Sequence, residues 1–169
     1  MCLYISHELQ QQILTHAHAD YPNEACGLLV GVGNQVKRVI PVKNIATDPK
    51  HNYLIGRDVL NHYIPTLDGL RIIGFYHSHP SDDITPSPSD IKQAMPNVIY
   101  VIASRRKLSA WKFDRGRVYA IQICNDNLLQ HDVQLSRAQK LAVIWGALLS
   151  LMILVLLSIS LLPPAPVLP

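Results

Sequence analysis

The sequence predicts an α/β domain, a mixed β-sheet flanked by helices, followed by one C-terminal transmembrane helix. Three observations predict it. Helix-like and strand-like apolar periodicities alternate over residues 1–125. The run His77-Ser78-His79-Pro80, with Ser87 and Asp90 downstream, falls where a strand gives way to a loop and a short helix. Leu141 to Leu162 carries no charged residue.

In chain order, Ser6 is placed to cap a helix whose apolar residues Leu9, Ile13, Leu14 and Ala17 form one stripe and which ends near Tyr21-Pro22. His7, His16 and His18 lie on that helix at spacings that do not converge, so they read as solvated. Ala25 to Val32 and Val36 to Val42 read as a hairpin joined through Gly33-Asn34. Asn44 to Gly56 reads as a polar loop, and Arg57 to Leu67 as a helix interrupted near Pro65. Arg71 to Tyr76 is an apolar and aromatic strand. After the short helix that starts at Ser87-Pro88, the segments Asn97 to Ser104, Ser109 to Phe113 and Arg117 to Cys124 read as three more strands. Trp111 and Tyr119 suit the core of that sheet, and no internal repeat is present.

The strand from Arg71 delivers His77 and His79 to its C-terminal edge. Residues i and i+2 of a strand share a face, so both imidazoles can hold one ion. Seven residues, Pro80 to Pro86, separate His79 from Ser87; this Pro-rich segment cannot continue the strand and can turn the chain back. Asp90 then projects from the first turn of the next helix. Two histidines and one carboxylate leave the fourth tetrahedral position to water, the pattern of a catalytic zinc rather than a structural one. Asp82 and Asp83 are rival third ligands, but they follow His79 so closely that they need a very tight turn. Ser87 with an acid three residues on is also a helix-capping pattern. Hydrolysis needs a base that is not a ligand, and Glu24 is the candidate, lying directly before an apolar strand in Pro22-Asn23-Glu24-Ala25-Cys26-Gly27-Leu28-Leu29-Val30-Gly31. By itself Glu24 reads as a solvated glutamate.

His-x-His, seven residues, Ser, two residues and Asp, with an upstream Glu-x-Cys-Gly-x-Leu-x-Gly, resembles the JAMM (MPN-plus) zinc metalloprotease family. Every position of that pattern is filled, by Glu24, Cys26, Gly27, Leu29, Gly31, His77, His79, Ser87 and Asp90. The likeness covers roughly the first three quarters of the chain, where strand-like periodicity runs. The resemblance implies a zinc-dependent peptidase or isopeptidase whose sheet is flanked by helices, with an architecture related to the cytidine deaminases. It implies one zinc ion on His77, His79 and Asp90, Glu24 as general base, and Ser87 as a support for the oxyanion. The domain is compact and is most similar to small prokaryotic members, whose substrates include C-terminal extensions or conjugates of ubiquitin-like and sulfur-carrier proteins. Two other readings stay open: a catalytically silent scaffold of the same fold at a membrane, and a zinc hydrolase of a small amide.

Base deamination needs His-x-Glu and Pro-Cys-x-x-Cys, and neither is in the sequence. A net charge of +3 in 169 residues, with Arg105-Arg106-Lys107 as the one basic cluster, does not argue for nucleic acid. Cys2, Cys26 and Cys124 are too few for a disulfide framework and suit a reducing cytosol. Cys26, close to Glu24, reads as a small packing residue, because a thiolate ligand would close the position that water needs.

The uncharged run Leu141 to Leu162 spans about 33 Å as a helix, enough for a bilayer core. Arg137 and Lys140 flank its N-terminal side and residues 163–169 form a short Pro-rich tail without charged side chains. The positive-inside rule then keeps the catalytic domain, 1–125, in the cytoplasm, joined through a linker, 126–140, to a tail anchor. Met1 to Gln12 does not read as a secretory signal.

Overall fold

The computed structural model describes residues 1–125 and 137–160. The chain divides into two units, Met1–Leu128 and Leu129–Pro169. In the first, strand β1 (Cys2–Tyr4) leads into helix α1 (His7–Asp20), then the hairpin β2 (Cys26–Val32) and β3 (Gln35–Val42). Helix α2 (Arg57–Tyr63) and a 3₁₀ turn (Ile64–Thr66) precede β4 (Arg71–Ser78), followed by α3 (Pro88–Gln93), β5 (Ile99–Ala103), β6 (Leu108–Asp114) and β7 (Arg117–Cys124).

The local signals act as read. Ser6 accepts the Leu9 N–H at 3.2 Å and caps α1. Pro65 sits where α2 tightens into the 3₁₀ turn, since its ring excludes a continuing α-helix. The sheet is mixed, as predicted: β1 runs parallel to β3 and β7 and β4 runs parallel to β5, while the other pairings are antiparallel. It closes into a barrel in the order β1-β3-β2-β4-β5-β6-β7. Strand β1, absent from the sequence reading, is the closing piece. Its three residues pair with β7 through Cys2 to Gln122, Leu3 to Ile123 and Tyr4 to Cys124.

Period-two alternation sends the two faces of the sheet to two helices. Leu29, Val36, Val39 and Tyr76 pack with Ile13 and Ala17 of α1 in one buried cluster. Leu28, Val30, Ile40 and Val42 form the second, against which Val59 and Leu60 of α2 and Phe75 pack. At fully buried figures of about 1.5–3 kcal/mol per large aliphatic side chain, these clusters hold the sheet between its helices. A bulge where Val30 pairs with Ile72 and Leu29 with Gly74 resets the parity of β4. Beyond it Tyr76 points to the α1 cluster, so His77 points to the opposite face with Phe75. Gly27 lies opposite Tyr76, and a Cβ there would run into the Tyr76 ring and the Ile40 carbonyl.

Two expectations are corrected. Cys2 and Cys124 are joined as a disulfide across the β1–β7 pair, 122 residues apart with Cα atoms at 6.0 Å. Their approach follows from barrel closure, which nothing near either cysteine announces; Cys26 alone is free, and buried as read. His16 is not solvated: its Nδ1 lies 2.8 Å from the Tyr76 hydroxyl and its Nε2 3.3 Å from Asp20, and the ring is half-buried. The predicted span is described only in part. Helix α4 (Arg137–Ser160) covers most of the predicted segment, yet among the described residues no helix is long and apolar enough to cross a membrane. The predicted span ends at Leu162, beyond the described part of α4. The greater part of the predicted linker, 126–136, and the tail, 163–169, also lie outside the described residues.

Candidate metal centre

The end of β4 carries His77 and places His79 just past it, on the face opposite Tyr76. Segment 80–86 turns back as its prolines require, and α3 begins at Pro88 with Ser87 as N-cap. Its capping box is complete: the Ser87 hydroxyl accepts the Asp90 N–H at 3.2 Å, and Asp90 Oδ2 accepts the Ser87 N–H at 2.7 Å. The cap fixes the Asp90 carboxylate in front of the histidines. His77 Nε2 and His79 Nε2 are 3.2 Å apart, and each lies 3.3 Å from an oxygen of Asp90. The capping reading is realised, and the same turn of helix sets the Asp90 carboxylate beside both imidazoles.

The donor set fits a tetrahedral metal. Bonds of about 2.0–2.1 Å to nitrogen and oxygen imply ligand-to-ligand edges of about 3.3–3.4 Å, close to those observed. His77, His79 and Asp90 are also the one group of three or more His, Cys, Asp or Glu side chains among the described residues whose donor atoms converge within 4.8 Å. Electrostatics agree. Burial pushes the His77 pKa down, favouring the neutral imidazole that a metal requires. For His79, burial acts the same way but is outweighed by the hydrogen bond and charge of Asp90, and its pKa rises. Burial would raise the Asp90 carboxyl, yet its contacts with His77, His79 and Ser87 hold it far below the usual carboxylate range.

Asp83 is not a ligand. Its carbonyl lies 3.1 Å from His79 Nδ1, which orients that ring, while its carboxylate accepts from the amide and hydroxyl of Thr85. Asp82 is exposed and pairs with Arg105 at 3.7 Å.

Glu24 is not solvated. It is 5 % exposed, and its Oε2 has no hydrogen-bond partner among the described residues. Burial pushes its carboxyl up to about 7, with the charges of His79 and Asp90 acting in opposite directions. It lines a cleft of about 620 Å³ with Lys50, His51, His79, Ser81, Ser87 and the prolines of the 80–88 segment. The cleft wall thus holds Glu24, Ser87 and His79, and His79 is in turn 3.2 Å from His77 and 3.3 Å from Asp90.

Several residues of this site escaped the sequence reading. Ser78, read only as a spacer between histidines, takes the Ala25 N–H on its hydroxyl at 2.8 Å, and its own N–H donates to the Ala25 carbonyl at 2.8 Å. It ties the residue after Glu24 to the end of β4. Trp111 was read as core, but its indole N–H donates to the Ile84 carbonyl at 3.0 Å, where Ser109 also donates. Tyr53 lies flat on the His77 ring, with centroids 4.3 Å apart and 17° between planes. No local signal distinguishes these residues, because each acts across a long sequence separation.

Residues 6–114 match the model of the prokaryotic homologs of the JAB domain. A "probable TtuB-protein conjugate cleaving protease" of Thermus thermophilus is 33 % identical over 125 residues, 73 % of this chain and 84 % of that protein. The "desampylase" of Haloferax volcanii is 30 % identical over 133 residues, 72 % of this chain and 96 % of that protein. The solution structure of a Desulfitobacterium hafniense protein superposes with a TM-score of 0.66 at 26 % identity, covering 74 % of this chain and 92 % of that one. With the matched region holding Glu24, both histidines, Ser87 and Asp90, this chain belongs to the prokaryotic JAB-domain family.

Proposed function

We propose that this protein is a zinc-dependent peptidase or isopeptidase that hydrolyses a bond at the C-terminus of a ubiquitin-like or sulfur-carrier protein, tethered to a membrane with its catalytic domain in the cytoplasm. The observation that carries the chemistry is the triangle of His77, His79 and Asp90, with His79 sharing a cleft with a buried Glu24 whose Oε2 has no hydrogen-bond partner among the described residues. A complete donor set with a base disfavours the silent scaffold. Relatives named for cleaving protein conjugates favour a protein substrate over a small amide.

His77, His79 and Asp90 would hold the ion. Zinc there would supply Lewis-acid chemistry, lowering the pKa of water toward about 7 and polarising a carbonyl. Glu24, in the same cleft, takes the proton of the attacking water and returns it to the leaving amine. Ser87 accepts the Asp90 N–H and shares a 2.8 Å hydrogen bond with the Ser89 hydroxyl; with Ser89 as the donor of that bond, the Ser87 proton serves the developing oxyanion.

Tethering rests on the uncharged run 141–162 and on the exposure of Leu141, Ile144, Trp145, Leu148, Leu149, Leu151, Met152, Ile153 and Leu154 along α4. So large an apolar surface has few uses in water. Cytoplasmic placement rests on Arg137 and Lys140. A reducing compartment would open the Cys2–Cys124 disulfide of the structure to a thiol pair.

The test uses the full chain in detergent, loaded with zinc, and intact-mass spectrometry of ubiquitin-like proteins carrying C-terminal extensions or isopeptide-linked lysines. Wild type is expected to release the native C-terminus, and Glu24→Gln to hold one zinc per chain without cleaving. Wild type that holds zinc and cleaves none of them moves the reading to the small-amide hydrolase or the scaffold; cleavage by Glu24→Gln at the wild-type rate removes Glu24 as base.

A further inference from the structure

We infer that Tyr53, held in place by Asn44, is the positioning residue that orients the metal ligand His77 relative to Glu24. The inference rests on the reading of His77, His79 and Asp90 as a metal site, and extends it to a segment, Asn44 to Gly56, that the sequence presents as a polar loop.

The two imidazoles of the site are fixed by different means. His79 Nδ1 has the Asp83 carbonyl at 3.1 Å, the usual arrangement in which an outer hydrogen bond sets ring rotation and tautomer. His77 is fully buried, and its Nδ1 has no hydrogen-bond partner among the described residues. Rotation of that ring about its Cβ–Cγ bond is therefore not set by a hydrogen bond at its outer nitrogen. What lies on it is the face of Tyr53, 4.3 Å away and within 17° of parallel. A flat stack of this kind opposes rotation, because turning the imidazole drives its edge into the phenol ring.

Tyr53 can do this only if its own backbone is held, and Asn44 holds it. The Asn44 amide donates to the carbonyls of Asn52 and Glu24, both at 2.9 Å, and its oxygen accepts from Leu54 N–H at 3.1 Å and Ala46 N–H at 2.9 Å. All four bonding positions of the amide are filled, and its orientation is dictated because its partners are backbone groups of fixed polarity. Asn52 and Leu54 flank Tyr53, so one side chain ties the stacking residue to the backbone of Glu24. The Glu24 N–H is in turn bonded to the Pro49 carbonyl at 2.7 Å, within the same segment. Base and ligand are thus registered to each other through protein, before any metal enters.

The test compares Tyr53→Phe, Tyr53→Leu and Asn44→Asp in the full chain in detergent, by zinc affinity from chelator competition, the visible spectrum of the cobalt-substituted protein, and Tm of the metal-free form. Tyr53→Phe keeps the flat face and is expected to bind zinc within about twofold of wild type, whereas Tyr53→Leu keeps bulk without the face and is expected to bind about 10–100-fold more weakly, with a shifted cobalt spectrum. Asn44→Asp places a carboxylate oxygen against two carbonyls and is expected to weaken zinc in the same direction. Equal affinity and equal spectra for Phe and Leu overturn the role of Tyr53; wild-type affinity in Asn44→Asp overturns that of Asn44. Absence of zinc binding by wild type itself would instead overturn the metal site on which the inference rests.

Discussion

One carboxylate at Asp90 serves two structures, closing the cap of α3 through Ser87 and facing two imidazoles. The spacing Ser-x-x-Asp was legible as a cap and His-x-His as a strand-borne pair; that they meet at one oxygen pair was not. Glu24 shows the opposite case, a residue with no local signal whose burial decides its chemistry. Its carboxyl, raised to about 7 from 4.5 chiefly by burial, has a definite effect on stability. Below about pH 4.5 it is protonated in both folded and unfolded chains; between there and 7 only the unfolded chain ionises, so stability is lost as pH rises through the folded pKa. The metal-free wild type is therefore expected to lose about 3 kcal/mol relative to Glu24→Gln between pH 4.5 and 7.5. Urea unfolding of both proteins across that range measures it, and a pH-independent difference would remove the burial of Glu24 as the cause.

At the scale of elements, the 80–86 segment is where sequence and structure divide most clearly. Its prolines announce the turn, and Ser87-Pro88 announces the helix after it. Its fastening comes from β6, in which Ser109 and Trp111 both donate to the Ile84 carbonyl, while the neighbouring Asp83 carbonyl orients His79. Trp111→Phe keeps the packed ring and deletes one donor, for an expected cost of about 1 kcal/mol; adding Ser109→Ala leaves the Ile84 carbonyl without either donor and raises the total to about 2–3 kcal/mol. Denaturant midpoints of the two variants check this. A double variant no less stable than the single one would show that the segment is held by other contacts. Strand β1 was missed for a related reason, since three residues carry too little periodicity to be recognised and become a strand only by pairing with β3 and β7.

For the whole molecule, barrel closure brings Cys2 to Cys124, and the uncharged run is the basis on which a membrane tether is proposed. These features bear on one another through compartment. If the catalytic domain lies in the cytoplasm, as proposed, the full chain is expected to fractionate with membranes, and its Cys2 and Cys124, reduced there, to react in intact cells with a permeant alkylating reagent but not an impermeant one. Thiols protected until a reductant is added would place the domain in an oxidising compartment and reverse the topology drawn from Arg137 and Lys140.

The sequence by itself determined the class of fold, the metal ligands proposed here and the segment proposed as anchor. Those depend on short spacings, His-x-His on one strand face, Ser-x-x-Asp in one helical turn, and an unbroken apolar run, which local geometry converts directly into structure. Only the tertiary structure decided that the sheet closes, that Cys2 meets Cys124, that Glu24 is buried beside the histidines, and that Tyr53, Asn44, Ser78 and Trp111 support them. Each of these joins residues tens of positions apart. Their meeting is set by strand register and by the burial of two apolar faces, quantities that no short stretch of sequence contains.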